Sequence, residues 1–212
     1  AVAHFAQGHY SASEREALAT VAENPLRLDT HVLLGQIYLE TKKLQQAETH
    51  LLRALTIDPA STMAHYYTGR LLYRQKRYAA AATHLQQVLT EQPDDFWLRY
   101  ELGRALQQAG QNAAALHYYQ QALALSRRPE ALVAIGALYL LEGSAREART
   151  HFLQALDVDP HNPEAHINLA LLDLEDGRPA IAIDRLRRVL ARGNSPQAQR
   201  LLDEIRRRMD NN

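Results

Sequence analysis

The chain has 212 residues, 46% hydrophobic and 23% charged, a balance that suits an ordered protein and excludes a disordered tail. Basic and acidic residues number 24 each, so formal net charge is zero and a generally basic, nucleic-acid-binding surface is not expected. The absence of cysteine excludes disulfides, thiolate zinc sites and thiol nucleophiles, and no apolar run reaches the roughly 18–20 residues that span a bilayer.

The chain opens "AVAHFAQGHY", without an initiator methionine or a basic-then-apolar leader, which reads as a processed or excised piece of a longer protein. Cytoplasm and periplasm suit it equally. The stretch "QGHYSASEREAL" reads as a helix, the second one of a shortened helix pair. Two more follow within 28–61, where apolar residues recur three and four apart: Leu33/Leu34 and Ile37/Tyr38, then Ala47, Leu51/Leu52 and Leu55. A short polar turn, "TKK", separates them, and Pro59 stops the second, because proline disfavours helical geometry in the residue before it.

The same pattern returns along the rest of the chain. Pro25, Pro59 and Pro93 lie 34 apart; Gly35, Gly69, Gly103 and Gly136 follow at 34, 34 and 33, with Ala170 in the next slot. Ala47, Ala81, Ala115, Ala148 and Ala182 form another column, and Leu55, Leu89, Leu123, Leu156 and Leu190 a fourth. Four columns in one register define an internal repeat of about 34 residues. A glycine inside a helix costs about 1 kcal/mol relative to alanine, so its recurrence implies a close approach of the second helix. The alanine column is the expected counterpart, and a bulky residue at Ala148 is expected to overpack the pair at a cost of ~1–3 kcal/mol.

The unit "LGQIYLETKKLQQAETHLLRALTIDP", with its small, aromatic and proline columns, resembles the tetratricopeptide repeat family over nearly the whole chain. The resemblance implies an all-α fold, a right-handed α-solenoid (superhelix) of helix–turn–helix repeats in one elongated array over 1–212. Its parts are a truncated unit at 1–27, full units at 28–61, 62–95, 96–128, 129–162 and 163–195, and a closing helix at 196–209 bearing Leu201, Leu202, Ile205 and Met209 on one stripe. Arg127 stands where other units carry proline; Pro129 and Pro163 instead open first helices, where proline is tolerated, so a slightly altered twist and an unbroken stack are expected.

Ten histidines invite a search for chemistry. His50, His84 and His151 share one column, His117 is one residue out of phase, and His31, His65 and His166 share another. Metal ligands must converge within about 2.0–2.2 Å of one ion, whereas residues repeated once per unit lie roughly 10 Å apart. Pairing across columns brings two imidazoles together and only rarely three, so the histidines read as half-buried fillers marking the register, and no metal or cofactor is expected. "DVDPHNPEAH" (157–166) reads as ordinary helix-start chemistry rather than a cation loop. No His-Glu-x-x-His, phosphate loop or Gly-x-Ser-x-Gly elbow occurs, and no enzyme is expected. The arginine-rich end (Arg185, Arg187, Arg188, Arg192, Arg200, Arg206, Arg207, Arg208) lacks stacking aromatics and reads as a solvated face.

By the resemblance, exposed residues of the first helices form a concave ligand groove. Helical spacing from the glycine assigns Asp29, Val32, Gln36, Leu39 and Glu40 to it; then Met63, Tyr66, Arg70, Tyr73 and Arg74; then Trp97, Tyr100, Arg104, Gln107 and Gln108. An apolar extension follows: Val133, Ala137, Leu140 and Leu141, then Ile167, Leu171 and Leu174, with Glu164 and Glu175 at its edges. Tryptophan, tyrosine and arginine are the types enriched at binding hot spots, and three arginines beside aromatics favour an acidic or carboxylate-bearing peptide. The apolar half suits an amphipathic helix of a partner, or is closed by the chain's own last helix. The clamp with which some tetratricopeptide domains hold chaperone tails is not matched, since Val32, Gln36, Tyr67 and Glu101 occupy its places. The expected function is a non-catalytic protein–protein interaction scaffold. The alternatives are a self-assembling homo-oligomer and a regulatory arm of a larger enzyme or secretion component.

Overall fold

The computed structural model describes the backbone of residues 1–210 and the side chains of residues 1–208; Met209, assigned to the closing helix's stripe, has its side chain outside them. Among the described residues there are thirteen helices and no strand. They are α1 (Val2–Ala6), α2 (Tyr10–Glu23), α3 (Leu28–Glu40), α4 (Leu44–Ile57), α5 (Thr62–Arg74), α6 (Tyr78–Glu91) and α7 (Phe96–Gln108). The remainder are α8 (Asn112–Leu125), α9 (Pro129–Leu141), α10 (Ala145–Val158), α11 (Pro163–Glu175), α12 (Pro179–Leu190) and α13 (Pro196–Asp210). First helices α3, α5, α7, α9 and α11 have 13 residues each, and second helices α4, α6, α8 and α10 have 14. By packing the chain falls into two compact units, Ala1–Ala115 and Leu116–Asn212, divided inside α8.

Each hairpin turns on a residue in the left-handed region: Gly8, Lys42, Lys76, Gly110, Gly143 and Gly177, with φ between 61° and 77°. The next residue closes the helix end by reaching back five positions, as in Lys43 N–H to the Tyr38 carbonyl (2.8 Å) and Arg77 N–H to the Leu72 carbonyl (2.8 Å). Gly8 shares this register and His9 N–H closes onto the His4 carbonyl in the same way, so α1 and α2 keep the turn of a shortened repeat. Three first helices start on a side-chain cap: Ser61 accepts from Ala64 N–H, Asp95 from Leu98 N–H and Asn162 from Ala165 N–H, whereas Arg27 before α3 and Arg128 before α9 give none.

In the first unit α2 to α7 pack in sequence, and α3 also touches α5 directly. Its core runs through Ala17, Leu34, Tyr38, Leu51, Ala54, Ala64 and Leu71. The second unit has one cluster of Leu132, Ala148, Phe152, Ala155 and Leu169, and another of Ile167, Ala170, Leu186, Ala198, Leu202 and Ile205 that docks α13. The glycines meet a different partner from the one the sequence suggests. A Cβ on Gly35 would lie 2.5 Å from the Leu51 side chain, on Gly69 2.9 Å from Leu85, and on Gly136 2.6 Å from the Phe152 ring. The counterpart is therefore the residue 16 positions later, and the fully buried alanines Ala47, Ala81 and Ala148 line the contact from one turn away.

Candidate functional site

The arginine–aromatic surface lies on α5 and α7 of the first unit. Tyr66, Arg70, Tyr73 and Arg74 follow one another at helical spacing on α5, and Trp97, Tyr100 and Arg104 do so on α7. The Arg104 guanidinium donates to the Tyr73 hydroxyl (3.0 Å), its carbon lying 5.1 Å from the Tyr73 ring centre and 5.9 Å from that of Tyr100. Arg70 lies 5.8 Å from the Tyr66 ring centre, and Trp97 meets Tyr100 edge-on at 5.9 Å. Gly69, Arg70, Tyr73, Arg74, Leu85, Glu101 and Arg104 line a cleft of about 270 Å³. A second cleft of about 190 Å³ is lined by Thr62, Met63, Tyr66, Val88, Gln92, Asp95, Trp97 and Leu98.

Two carboxylates face the three guanidiniums. Glu40, on α3, stands 3.5 Å from Arg70 and 3.8 Å from Arg74, whose guanidinium also donates to the Leu39 carbonyl. Burial raises the Glu101 carboxyl above its ordinary range against the pull of Arg70, a Tyr66 hydrogen bond and Arg104. Burial likewise pushes the Tyr66 phenol up to about 12, with Glu101 adding to the effect. In the sequence Glu101 stands out only as a mismatch to the chaperone-tail clamp. Glu40 and Arg74 had a signal: they occupy the same repeat position 34 residues apart, and same-position residues of successive first helices are neighbours.

Two groove assignments in the first repeat do not hold, because Val32 is 8% and Leu39 0% exposed, both inside the first unit's core. In the second unit, Val133 and Leu140 are partly buried against the α9–α11 cluster. Ile167 is 4% exposed, packed with Ala198, Leu202 and Ile205, so α13 closes that part of the predicted apolar extension. Leu171 and Leu174 line a cleft of about 620 Å³ with Pro179, Leu201 and Ile205. Leu141 stands out at 68% exposure.

The histidine columns pair within a repeat. His31 and His50 approach Nδ1 to Nδ1 at 3.0 Å, and His65 and His84 at 2.8 Å. His31 Nε2–H donates to the Pro25 carbonyl (3.1 Å) and His65 Nε2–H to that of Pro59 (2.9 Å), which leaves each Nδ1 as acceptor for its partner's Nδ1–H. Proline, first-helix histidine and second-helix histidine thus form one relay pinning the inter-repeat loop to both helices. His166 repeats the proline contact (3.0 Å to the Pro160 carbonyl), but the paired position there is Arg185, which turns instead to the buried Asp173. Asp173 is 1% exposed and also receives Arg149 at 2.8 Å and Arg178 at 3.2 Å. In the acidic loop, Asp159 accepts from His161 N–H and Asn162 caps α11. Among the described residues no group of three or more histidine, aspartate or glutamate side chains could hold a metal ion, and no helix is long and apolar enough to cross a membrane.

Stacked helix hairpins with glycine-relieved contacts and a polar-aromatic first-helix surface define an all-α helical-repeat protein. The chain belongs to the tetratricopeptide repeat family: one model of the repeat matches residues 72–138 and 139–205, and a second matches residues 1–62. No curated protein matches it in sequence. Among solved structures it is similar to PilW, described as a widely conserved type IV pilus biogenesis factor (TM-score 0.82, 18% identity, 95% of this chain and 94% of that one). It is also similar to Pseudomonas aeruginosa pilF (TM-score 0.76, 19% identity, 96% and 93%). A third is YrrB, described as a TPR protein with an unusual peptide-binding site (TM-score 0.66, 21% identity, 87% and 96%). At these identities the likeness establishes the tetratricopeptide fold.

Proposed function

We propose that this chain is a non-catalytic interaction module that holds a carboxylate-bearing peptide of a protein partner against α5 and α7. Family membership supports a protein-interaction role. The finer reading is carried by one observation: Arg70, Arg74 and Arg104 line an open cleft with Tyr73, while Glu40 stands 3.5 Å from Arg70 and 3.8 Å from Arg74. Those contacts are too long for tight hydrogen bonds, so an incoming carboxylate can take both guanidiniums at close range. Aromatic flanks supply contact area at low entropic cost. The triple substitution Arg70→Ala, Trp97→Ala, Arg104→Ala is expected to keep the helical circular dichroism spectrum and abolish pull-down of the partner. A folded triple variant with unchanged affinity removes this assignment.

A second reading, self-assembly through the second unit, draws on the 68% exposure of Leu141 and the open cleft beside Leu171. Light scattering that reports a monomer at every concentration eliminates it.

A further inference from the structure

The two clefts on α5 and α7 stand in series along the same pair of helices, and their linings differ in kind. One presents Met63, Tyr66, Trp97 and Leu98; the other presents Arg70, Arg74 and Arg104 around Glu101. Met63 is 49% and Trp97 44% exposed, large values for apolar side chains at the mouth of a cleft. On both helices the step from apolar to basic lining is seven residues, Met63 to Arg70 and Trp97 to Arg104. Seven residues at about 1.5 Å each are two helical turns, about 10.5 Å.

A ligand filling both clefts needs two side chains that leave the same side of its backbone at about that separation. A β-strand fails, because residues three apart point to opposite faces and residues two apart span only about 6.8 Å. A polyproline-II segment returns to the same side every third residue after about 9.3 Å. An α-helical ligand matches with residues seven apart, but its diameter is about 10–12 Å, whereas clefts of about 190 and 270 Å³ accommodate side chains rather than a helix. Charge selects the second anchor: three arginines face two glutamates, leaving an excess of positive charge.

Resting on the carboxylate reading above, we infer that the partner segment is an extended, polyproline-II-like peptide with one large apolar side chain and one acidic side chain three residues apart. The apolar side chain sits between Met63 and Trp97, and the carboxylate between Arg70 and Arg104. The clefts lie in the first unit alone.

The test uses the full chain and fluorescein-labelled proline-rich peptides carrying one leucine and one glutamate in either order, spaced two, three, four or seven residues apart, with dissociation constants from anisotropy. One order at spacing three is expected to bind at least about tenfold tighter than spacings two and four, a difference near 1.4 kcal/mol. Met63→Ala with Trp97→Ala should erase the preference for leucine over alanine in the peptide while keeping that for glutamate over glutamine. Arg104→Ala should do the reverse. Equal affinity at all spacings, with binding still lost in Arg70→Ala/Arg104→Ala, overturns the two-anchor register and leaves the carboxylate reading standing. Tightest binding at spacing seven in a helix-forming background overturns the extended conformation. Failure of every acidic peptide to bind removes both.

Discussion

The six left-handed turn positions are occupied by four glycines and two lysines, Lys42 and Lys76, each at φ 61°. An L-residue there brings its Cβ against the following carbonyl at a cost of roughly 1–2 kcal/mol, while glycine gives back part of that gain through a freer unfolded chain. Lys42→Gly and Lys76→Gly are therefore each expected to raise the stability of the first unit by about 0.5–1 kcal/mol. An urea-unfolding midpoint that moves down in both variants defeats this account. A Cβ on Gly110 or Gly143 meets no atom within 4 Å, so space does not choose glycine there; backbone conformation does. These turns were legible as turns from polar runs such as "TKK" and "LEGS". Their conformation was not, because lysine, rare at positive φ, masks the column in the first two full repeats.

Among whole elements, the hairpin contact depends on one missing side chain. Gly136 on α9 faces Phe152 on α10, which is fully buried and has no room to retreat from a new methyl group 2.6 Å from its ring. Gly136→Ala gains about 1 kcal/mol of helix propensity but overpacks the hairpin by roughly 1–3 kcal/mol, so net destabilisation is expected. With Phe152→Ala already in place the clash is gone, and the same substitution should become neutral or favourable. Additive effects in that double-mutant cycle would show that the glycine serves another contact. The repeat register made this glycine visible and gave it a packing reason. The alanine column is not the nearest partner, although the Ala81 carbonyl lies 3.4 Å from a Cβ on Gly69, because spacing identifies which helix face a residue occupies but not how far a neighbour's side chain reaches. Ile167 failed for a similar reason: its place on the first-helix face is correct, but α13 covers it. The arginine–aromatic set on α5 and α7 follows from the register, since those residues stay partly or fully exposed on one face. Its counter-charges needed the tertiary neighbours: Glu40 reaches across from α3, and Glu101 is half-buried beside Arg70 and Arg104.

At the scale of the molecule, uncharged histidine relays in the first unit and an arginine-encircled aspartate in the second respond to acid in different pH ranges. Burial and the facing His31 depress the His50 imidazole, and burial, His65 and Arg77 depress that of His84; burial also depresses His166. A histidine with a depressed folded pKa stabilises fully above its unfolded value of about 6.5, and that stability is lost as pH falls through the folded value. The geometry agrees, since a relay can hold only one proton between two Nδ1 atoms 2.8–3.0 Å apart, and a second sets donor against donor. Burial pushes the Asp173 carboxyl up, but its hydrogen bonds and charge attraction with Arg185 and Arg149 together outweigh that and lower it, so its contribution persists as pH falls to below the ordinary aspartate value. Between pH 7.5 and 5.5 the histidines should therefore act first, and melting temperature should fall before the carboxylates titrate. His50→Gln with His84→Gln keeps a donor for each first-helix Nδ1 and removes the titrating partner, so calorimetry on that variant should show a flatter profile over this window. A profile as steep as that of the parent would mean that the loss arises outside the relays.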